Sequence, residues 1–282
     1  MNPKVKVARL SVLSNTLLIT LKVAVGIISG SVSIISEAIH SAMDLVAALI
    51  ALFSVRVSDN PPDSRHPYGH GKIENVSGVI EAILIFAAAI WIIVEAIKKL
   101  TGQEIMLEKI WIGSVVMIIS ASVNWVVSRK LYKVARETNS VALEADALHL
   151  KTDVYTSAGV ALGLLLILLT DLKWLDPVVA ILVALFIIKE SFNLLRRAFW
   201  PLLDSAWSDE EIEDLKSRLN EMKVNYHDLR TRVAGNYKFI DIHVEIPENE
   251  SVGNAHRYCD MIENELTSVY ENLTVTIHVE PK

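Results

Sequence analysis

Two segments of the chain each place a histidine and an aspartate four residues apart: His40 and Asp44, then His149 and Asp153. Positions i and i+4 lie on one face of an α-helix, so each pair can contact a single ligand. Both segments are strongly apolar, and a carboxylate at membrane depth costs about 2.5–3.5 kcal/mol even on insertion scales. Two imidazoles and two carboxylates supply the four ligands of a tetrahedral Zn²⁺ site. The spacing therefore predicts one intramembrane metal site, provided that the two helix faces meet.

A structural alternative exists for these pairs. Each aspartate would then pair with a buried lysine such as Lys151, and the histidines would be satisfied core residues. The same spacing in two apolar segments favours the metal site over this alternative. Glu37 and Asp146 each precede a site histidine by three residues. They would either orient the imidazoles or remain solvated at helix ends.

A second group of candidate ligands lies between the second and third apolar segments. Asp63, His66 and His70 follow one another at spacings of three and four, with a proline and a glycine between the histidines and a glycine after them. Such residues favour a bent backbone that can bring the three side chains together. The loop is thus a candidate metal site, and the alternative is a polar loop whose basic end meets lipid headgroups.

A third group lies in the last third of the chain and comprises His227, His243, His256, His278 and Glu280. His278 and Glu280 are two residues apart on a predicted strand, so their side chains point to the same face. If the strands are neighbours, His243 and His278 come close together. The alternative is a row of polar side chains on a solvated sheet face.

The composition is that of a membrane protein, with 52% hydrophobic residues in 282 and a mean hydropathy of +0.38. About 20 apolar residues cross a bilayer. Six segments meet this length, and they are approximately residues 7–28, 34–55, 76–97, 110–127, 143–169 and 174–195. No signal peptide with a small-residue cleavage site precedes the first segment, so we expect that segment to be retained.

Charge divides the chain into two parts. Residues 205–282 contain 16 acidic and 8 basic residues, a net charge of −8, which leaves +2 of the total of −6 for residues 1–204. We therefore predict a six-helix transmembrane transport domain over residues 1–204 and a cytoplasmic metal-binding domain over residues 205–282. The acidic second part argues against nucleic-acid binding. Cys259 is the only cysteine, so the chain has no internal disulfide and no CxxC zinc motif.

The basic residues predict the orientation in the membrane. One set of loops and chain ends carries 12 lysines and arginines and the other carries 4, when the three lysines within the segments are omitted. Basic residues accumulate on the cytoplasmic side. We therefore predict a multi-pass protein of the cell membrane with both termini in the cytoplasm.

The polar part predicts a small α+β domain. Ser208, followed by three acidic residues, indicates the start of a helix that extends to about residue 222. Strands are predicted over 227–233 and 238–246, on either side of Gly235 and Asn236, followed by a helix over 252–270 and a strand over 274–279. The order α-β-β-α-β places both helices on one face of a sheet.

Together these features resemble the cation diffusion facilitator family over nearly the whole chain. Residues 36–44 are similar to the family's second-helix motif, and residues 145–153 to its fifth-helix motif. Residues 66–72 are similar to its loop signature, and the last domain resembles its ferredoxin-like cytoplasmic module.

The resemblance implies a homodimer that exports divalent metal ions from the cytoplasm in exchange for protons, and is not an enzyme. It implies a transport site made of His40, Asp44, His149 and Asp153. It implies a loop site made of Asp63, His66 and His70. It implies a regulatory cytoplasmic site made of His227, His243, His278 and Glu280, with His256 near a second ion.

The ligand types predict Zn²⁺, both as the transported substrate and as the regulatory ligand. Some bacterial members of the family carry aspartate where this chain has His40, and manganese transporters tend to carry aspartate where it has His149. Imidazole suits Zn²⁺, whereas Mn²⁺ prefers oxygen ligands. Cd²⁺, Co²⁺ and Fe²⁺ remain alternative substrates, because the affinity orders of these ions overlap.

Two functions of other classes also remain open. A membrane zinc hydrolase would need an open coordination position and a general base, and the chain has no His-Glu-x-x-His motif. A metal sensor with a membrane anchor would not need two intramembrane ligand pairs.

Overall fold

The computed structural model describes residues 2–29, 32–101, 110–170, 172 and 174–282. The chain divides into two compact units, Met1–Phe199 and Trp200–Lys282. Each unit has its own hydrophobic core.

The first unit contains six long helices over the described residues, in agreement with the prediction. They are α1 (Pro3–Ser29), α2 (Val32–Ser58), α3 (Lys72–Leu100), α4 (Ile110–Thr138), α5 (Val141–Thr170) and α6 (Leu175–Phe199). Among the residues described, α1, α2, α3 and α6 are long and apolar enough to cross a membrane. Helix α4 ends in a basic stretch, and the first half of α5 carries several ionisable residues, which lowers the mean hydropathy of both.

Helix α5 lies between two groups of helices and contributes to the core of each. Leu143 and Leu150 pack with residues of α1, α2 and α4, whereas Ala145 and Leu148 pack with residues of α3 and α6. The close approach of α3 to α5 depends on Gly78, because a Cβ atom there would lie 2.7 Å from Cγ1 of Val141. Small residues of this kind allow helices to pack closely in membranes. Helix α5 also packs against Leu52 and Val55 of α2, the helix that carries the other candidate ligand pair.

A buried polar cluster joins four helices at one end of this unit. Lys4 Nζ of α1 lies 2.9 Å from Glu74 Oε1 of α3, and both side chains are buried. Lys4 also pairs with Asp59, which follows α2. The hydroxyls of Ser58 and Ser140 donate hydrogen bonds to the two oxygens of Glu74. The Glu74 carboxylate is therefore compensated by one cation and two hydroxyls.

The second unit is the predicted α+β domain. It begins with a 3₁₀ turn (Trp200–Leu203), followed by α7 (Asp209–Glu221), β1 (Tyr226–Ala234), β2 (Tyr237–Ile246), α8 (Val252–Val269) and β3 (Leu273–Pro281). Strand β2 is central, antiparallel to β1 and parallel to β3. Ser208 caps α7 as predicted, since its Oγ accepts from the Glu211 backbone N–H and Glu211 reaches back to the Ser208 backbone.

The alternation of β2 separates the core of this domain from a polar face. Ile240, Ile242, Val244 and Ile246 are buried against residues of α7 and α8 such as Leu215 and Ile262. Successive side chains of a strand point to opposite faces. Asp241, His243 and Glu245 therefore lie on the face that α7 and α8 leave uncovered.

Candidate metal centres

The intramembrane candidate ligands converge between α2 and α5. His149 Nε2 lies 3.1 Å from Asp44 Oδ1, and His40 Nε2 lies 3.8 Å from Asp153 Oδ1. Each histidine thus faces the aspartate of the other helix. One ligand atom from each of His40, Asp44 and Asp153 lies within 4.8 Å of the others, which is the spacing of atoms that can share one ion.

A cavity of about 190 Å³ adjoins these residues and is lined by His40, Asp44 and Asp153 together with side chains of α1 and α4. Two of the latter were not included in the predicted site. Asn124 Nδ2 of α4 lies 3.3 Å from Asp153 Oδ2. Lys22 Nζ of α1 donates a hydrogen bond of 2.7 Å to Ser41 Oγ. The sequence signal for Asn124 was an amide in an otherwise apolar helix, and the signal for Lys22 was an ammonium in another such helix.

Within the described part of the chain, Lys151 forms no ion pair with either aspartate. Lys151 Nζ lies 5.3 Å from the ring centroids of Tyr132 and Tyr155, and the two aspartates face the histidines instead. Asp146 is fully buried, so it is not a solvated helix-end charge, and its two carboxylate oxygens have no hydrogen-bond partner among the described residues. The side chain of Glu37 lies outside the described part of the chain.

The loop residues form a second cluster, as their spacing predicted. His66 Nδ1 lies 3.2 Å from Asp63 Oδ1, and His70 Nε2 lies 3.3 Å from Asp63 Oδ2. The backbone N–H groups of His66 and Arg65 donate to Asp63, and these hydrogen bonds lower the pKa of its carboxyl group. Gly69, at a φ of +84°, reverses the chain between the histidines. The ligand atoms of Asp63, His66 and His70 lie within 4.8 Å of one another.

The strand register aligns three histidines across the sheet of the second unit. His227 of β1 pairs with His243 of β2, and His243 pairs with His278 of β3. The ring centroids of His227 and His243 are 5.2 Å apart, and those of His243 and His278 are 4.7 Å apart. These rings form a row on the uncovered face of the sheet.

The Glu280 carboxylate lies among the three imidazoles. Its Oε2 lies 3.1 Å from His227 Nε2, and its Oε1 lies 3.0 Å from His243 Nδ1 and 3.5 Å from His278 Nε2. Glu245, which the sequence analysis did not include, lies 3.6 Å from His227 Nδ1 through Oε1. Its position two residues after His243, on the same face, was the signal that could have identified it.

His256 stands apart from this cluster. It lies on α8, its side chain is exposed, and its Nε2 lies 3.8 Å from Asp260 Oδ2. The part of the chain that the structure describes contains no third candidate ligand near this pair that would complete a cluster. Its contact with a second ion stays a prediction.

Comparison with known proteins gives matches over both units. Residues 8–203 match the cation efflux transmembrane domain, and residues 207–282 match the cytoplasmic domain of cation efflux proteins. An uncharacterized transporter of Synechocystis is 33% identical over 93% of this chain and 85% of its own length. The cation-efflux pump FieF of Shewanella oneidensis is 30% identical, over 97% of this chain and 93% of its own length. The manganese efflux system protein MneP of Bacillus subtilis is 29% identical, over 98% of this chain and 95% of its own length.

Proposed function

The chain belongs to the cation efflux, or cation diffusion facilitator, family of multi-pass membrane transporters, and from that premise we propose that it exports Zn²⁺ from the cytoplasm in exchange for protons. Divalent metal efflux is the activity of the family. The choice of Zn²⁺, the coupling to protons, the homodimer and the cytoplasmic position of both termini are our proposals for this chain.

One observation carries the proposal: ligand atoms of His40, Asp44 and Asp153, from two helices of the apolar unit, lie within 4.8 Å of one another. The fourth candidate ligand, His149, contacts Asp44. Two carboxylates without a metal ion or a proton would be strongly unfavourable at that depth. A divalent cation neutralises both. The neighbouring cavity provides space for an ion to enter or leave.

The chemistry of the four side chains favours Zn²⁺ over Mn²⁺. Two imidazole nitrogens and two carboxylate oxygens match tetrahedral Zn²⁺ sites in type and number. Mn²⁺ prefers a site made only of oxygen ligands. Among the relatives, the name of MneP refers to manganese. We therefore base the choice of Zn²⁺ for this chain on its two histidines and not on the names of its relatives.

Proton exchange follows from the requirements of the ligands. Zn²⁺ binds the imidazoles only when they are neutral and the carboxylates only when they are ionised, so metal binding and proton binding compete. An ordinary imidazole pKa of about 6.5 allows this competition near physiological pH. When the site opens to a more acidic outer side, protons replace the metal. The protonated site then opens to the cytoplasm again and releases its protons there.

The second unit would serve as a regulatory metal site. Its row of His227, His243 and His278 around Glu280 offers three nitrogens and a carboxylate on an uncovered face. We infer that Zn²⁺ bound there draws the two second units of a homodimer together when cytoplasmic Zn²⁺ is high. The loop cluster of Asp63, His66 and His70 would be a further Zn²⁺ site on the same side of the membrane.

Transport into proteoliposomes tests the proposal. A Zn²⁺-sensitive dye is enclosed, the lumen is made more acidic than the outside, and wild type is compared with Asp153→Ala. Glu95→Ala, which removes a partly buried carboxylate of α3 that pairs with Lys98, is the matched control. We expect proton-dependent Zn²⁺ entry in wild type and in the control, and none in Asp153→Ala.

Other outcomes would change the conclusion. Entry of Zn²⁺ that does not respond to the pH gradient would refute proton exchange. Entry of Cd²⁺, Co²⁺, Fe²⁺ or Mn²⁺ without Zn²⁺ would refute the metal assignment only. Transport of none of these ions by well-folded protein would favour a metal sensor. Turnover of a hydrolysable substrate in detergent, without vesicles, would favour a hydrolase.

A further inference from the structure

A cavity of about 760 Å³ in the first unit is lined by none of the candidate metal ligands. It is an open cavity lined by residues of α4, α5 and α6, on the predicted cytoplasmic side. Five of its lining residues are basic, and they are Arg129, Lys133, Arg136, Lys151 and Arg197. Basic pockets between membrane helices on that side are typical binding sites for anionic lipid headgroups.

Internal carboxylates neutralise only part of this charge. Three glutamates line the cavity, and two of them have basic partners: Arg197 lies 2.8 Å from Glu144, and Lys133 lies 3.9 Å from Glu137. Arg129, Arg136 and Lys151 form no ion pair with a carboxylate of the described residues. Five cations and three carboxylates line the cavity, so its lining side chains retain a net charge of +2.

The three unpaired cations are held where they face the cavity. Arg129 and Arg136 are seven residues apart on α4 with Lys133 between them, a spacing that places all three on one helix face. The Arg129 guanidinium lies 4.6 Å from the Trp125 ring centroid. Lys151 Nζ lies 5.3 Å from the ring centroids of Tyr132 and Tyr155. These aromatic rings restrict the cations without neutralising them.

The surroundings of the cavity are apolar and exposed. On α4, Trp125 and Val126 expose 40% and 52% of their surface, and on α6 Phe192 exposes 53%. In a membrane helix, such residues contact lipid chains, and tryptophan concentrates at the level of the headgroups. An occupant with an anionic head and apolar tails would match both the basic cavity and its apolar rim.

We propose that this cavity binds the headgroup of an anionic phospholipid of the cytoplasmic leaflet. Phosphate oxygens would accept hydrogen bonds from Arg129 and Arg136 of α4, and Lys151 would contribute charge from α5. Lys151 lies between His149 and Asp153 in the sequence. A bound lipid would therefore contact the helix that carries two of the candidate transport ligands.

Native mass spectrometry of the full-length protein in neutral detergent tests the proposal. Phosphatidylglycerol and phosphatidylcholine with identical acyl chains are titrated separately. The variants are Arg129→Gln/Arg136→Gln and, as the matched control, Lys6→Gln/Lys130→Gln, which removes two exposed cations that do not line the cavity. We expect wild type and the control to retain phosphatidylglycerol in preference to phosphatidylcholine. The site variant should bind phosphatidylglycerol about 25-fold more weakly, since each basic residue near an anionic lipid contributes roughly five-fold.

Three results would overturn the proposal. The first is equal retention of the two lipids by wild type, and the second is an equal loss of phosphatidylglycerol binding in the control and the site variant. The third is displacement of the lipid by millimolar inorganic phosphate, which would identify a site for soluble anions. If the glutamine variant does not fold, Arg129→Lys/Arg136→Lys replaces it. That variant must then keep the preference for phosphatidylglycerol, because it conserves the charge.

Discussion

His149 and Asp44 are in direct contact, with Nε2 3.1 Å from Oδ1, although 105 residues separate them in the chain. Asp44 and His40 share α2, and His149 and Asp153 share α5, yet each histidine faces the aspartate of the opposite helix. The geometry of the site therefore depends on the packing of α2 against α5. A metal ion between them would replace two histidine–aspartate contacts by four bonds to one ion.

The ligand at position 149 should decide between Zn²⁺ and Mn²⁺. In His149→Asp, the site has one imidazole and three carboxylates, so we expect Zn²⁺ affinity to fall by on the order of ten-fold or more and Mn²⁺ transport to rise relative to Zn²⁺. The ratio of initial Zn²⁺ and Mn²⁺ entry rates into proteoliposomes measures this change. Thr152→Ala, a change beside the ligands on α5, should leave the ratio as in wild type. An unchanged ratio in His149→Asp would remove His149 from the determinants of selectivity.

Two histidines of the second unit, His243 and His256, should contribute differently to Zn²⁺ binding. His243 is the central member of the histidine row and lies 3.0 Å from Glu280, whereas His256 is exposed on α8. We expect His243→Ala to remove one Zn²⁺ equivalent from the full-length protein and His256→Ala to leave that equivalent in place. Isothermal titration in detergent, with Asp153→Ala as the background to exclude the transport site, measures the stoichiometry. Loss of the same equivalent in both variants would contradict the separation of His256 from the cluster.

Much of this architecture follows from local sequence patterns. The spacing of four residues predicts the helical ligand pairs, and the period of two predicts that His278 and Glu280 share a face. Local patterns do not predict that His227, His243 and His278 align across the sheet. The reason is that β3 pairs with β2 only after the chain crosses over through α8. The register between β2 and β3 depends on long-range packing, which the periodicity of the sequence does not predict.

Contacts that depend on the rotation of a helix about its axis could not be predicted. The hydrogen bond from Asn124 to Asp153 and the complete burial of Asp146 both result from the way in which α5 packs against its neighbours. The helices also extend beyond the apolar segments, as α4 does from residue 127 to Thr138. A hydropathy criterion ends a span at the first charges, whereas hydrogen bonding continues the helix into the aqueous phase.

The second unit should lose stability in acid partly through Glu211. Burial raises the pKa of Glu211, but hydrogen bonds from Lys238 and Ser208 outweigh it and hold the pKa below its ordinary value. A carboxyl group with a lowered pKa in the folded state contributes stability above its unfolded pKa of about 4.3, and this contribution is lost as the pH falls through the folded value. We expect Glu211→Gln to lower the melting temperature at pH 7. We also expect the melting temperature of this variant to fall less than that of wild type between pH 5 and pH 3.

Differential scanning fluorimetry across this pH range checks the prediction. The exposed neighbour Glu210 provides the matched control, because Glu210→Gln removes an equal charge from the same helical turn. Parallel curves for Glu211→Gln and wild type would show that the contact with Lys238 adds no pH-dependent stability.

Lys4 should stabilise the first unit through its contact with Glu74. Both side chains are buried, 2.9 Å apart, and two serine hydroxyls complete the environment of the carboxylate. Lys4→Met leaves the buried carboxylate without its nearest cation, which typically costs about 3–5 kcal/mol. For a unit of this size, we expect the apparent melting temperature in detergent to fall by on the order of 10 °C.

The double variant Lys4→Met/Glu74→Met distinguishes loss of the charge pair from loss of packing. Because it removes both charges and fills the space with apolar side chains, it should recover most of the melting temperature that Lys4→Met loses. Lys6→Met, an exposed position on the same turn of α1, controls for the loss of a positive charge near the end of the helix. If the double variant melts as low as Lys4→Met, the ion pair is not the source of the stability. Recovery would instead show that the loss in Lys4→Met comes from the uncompensated Glu74 carboxylate.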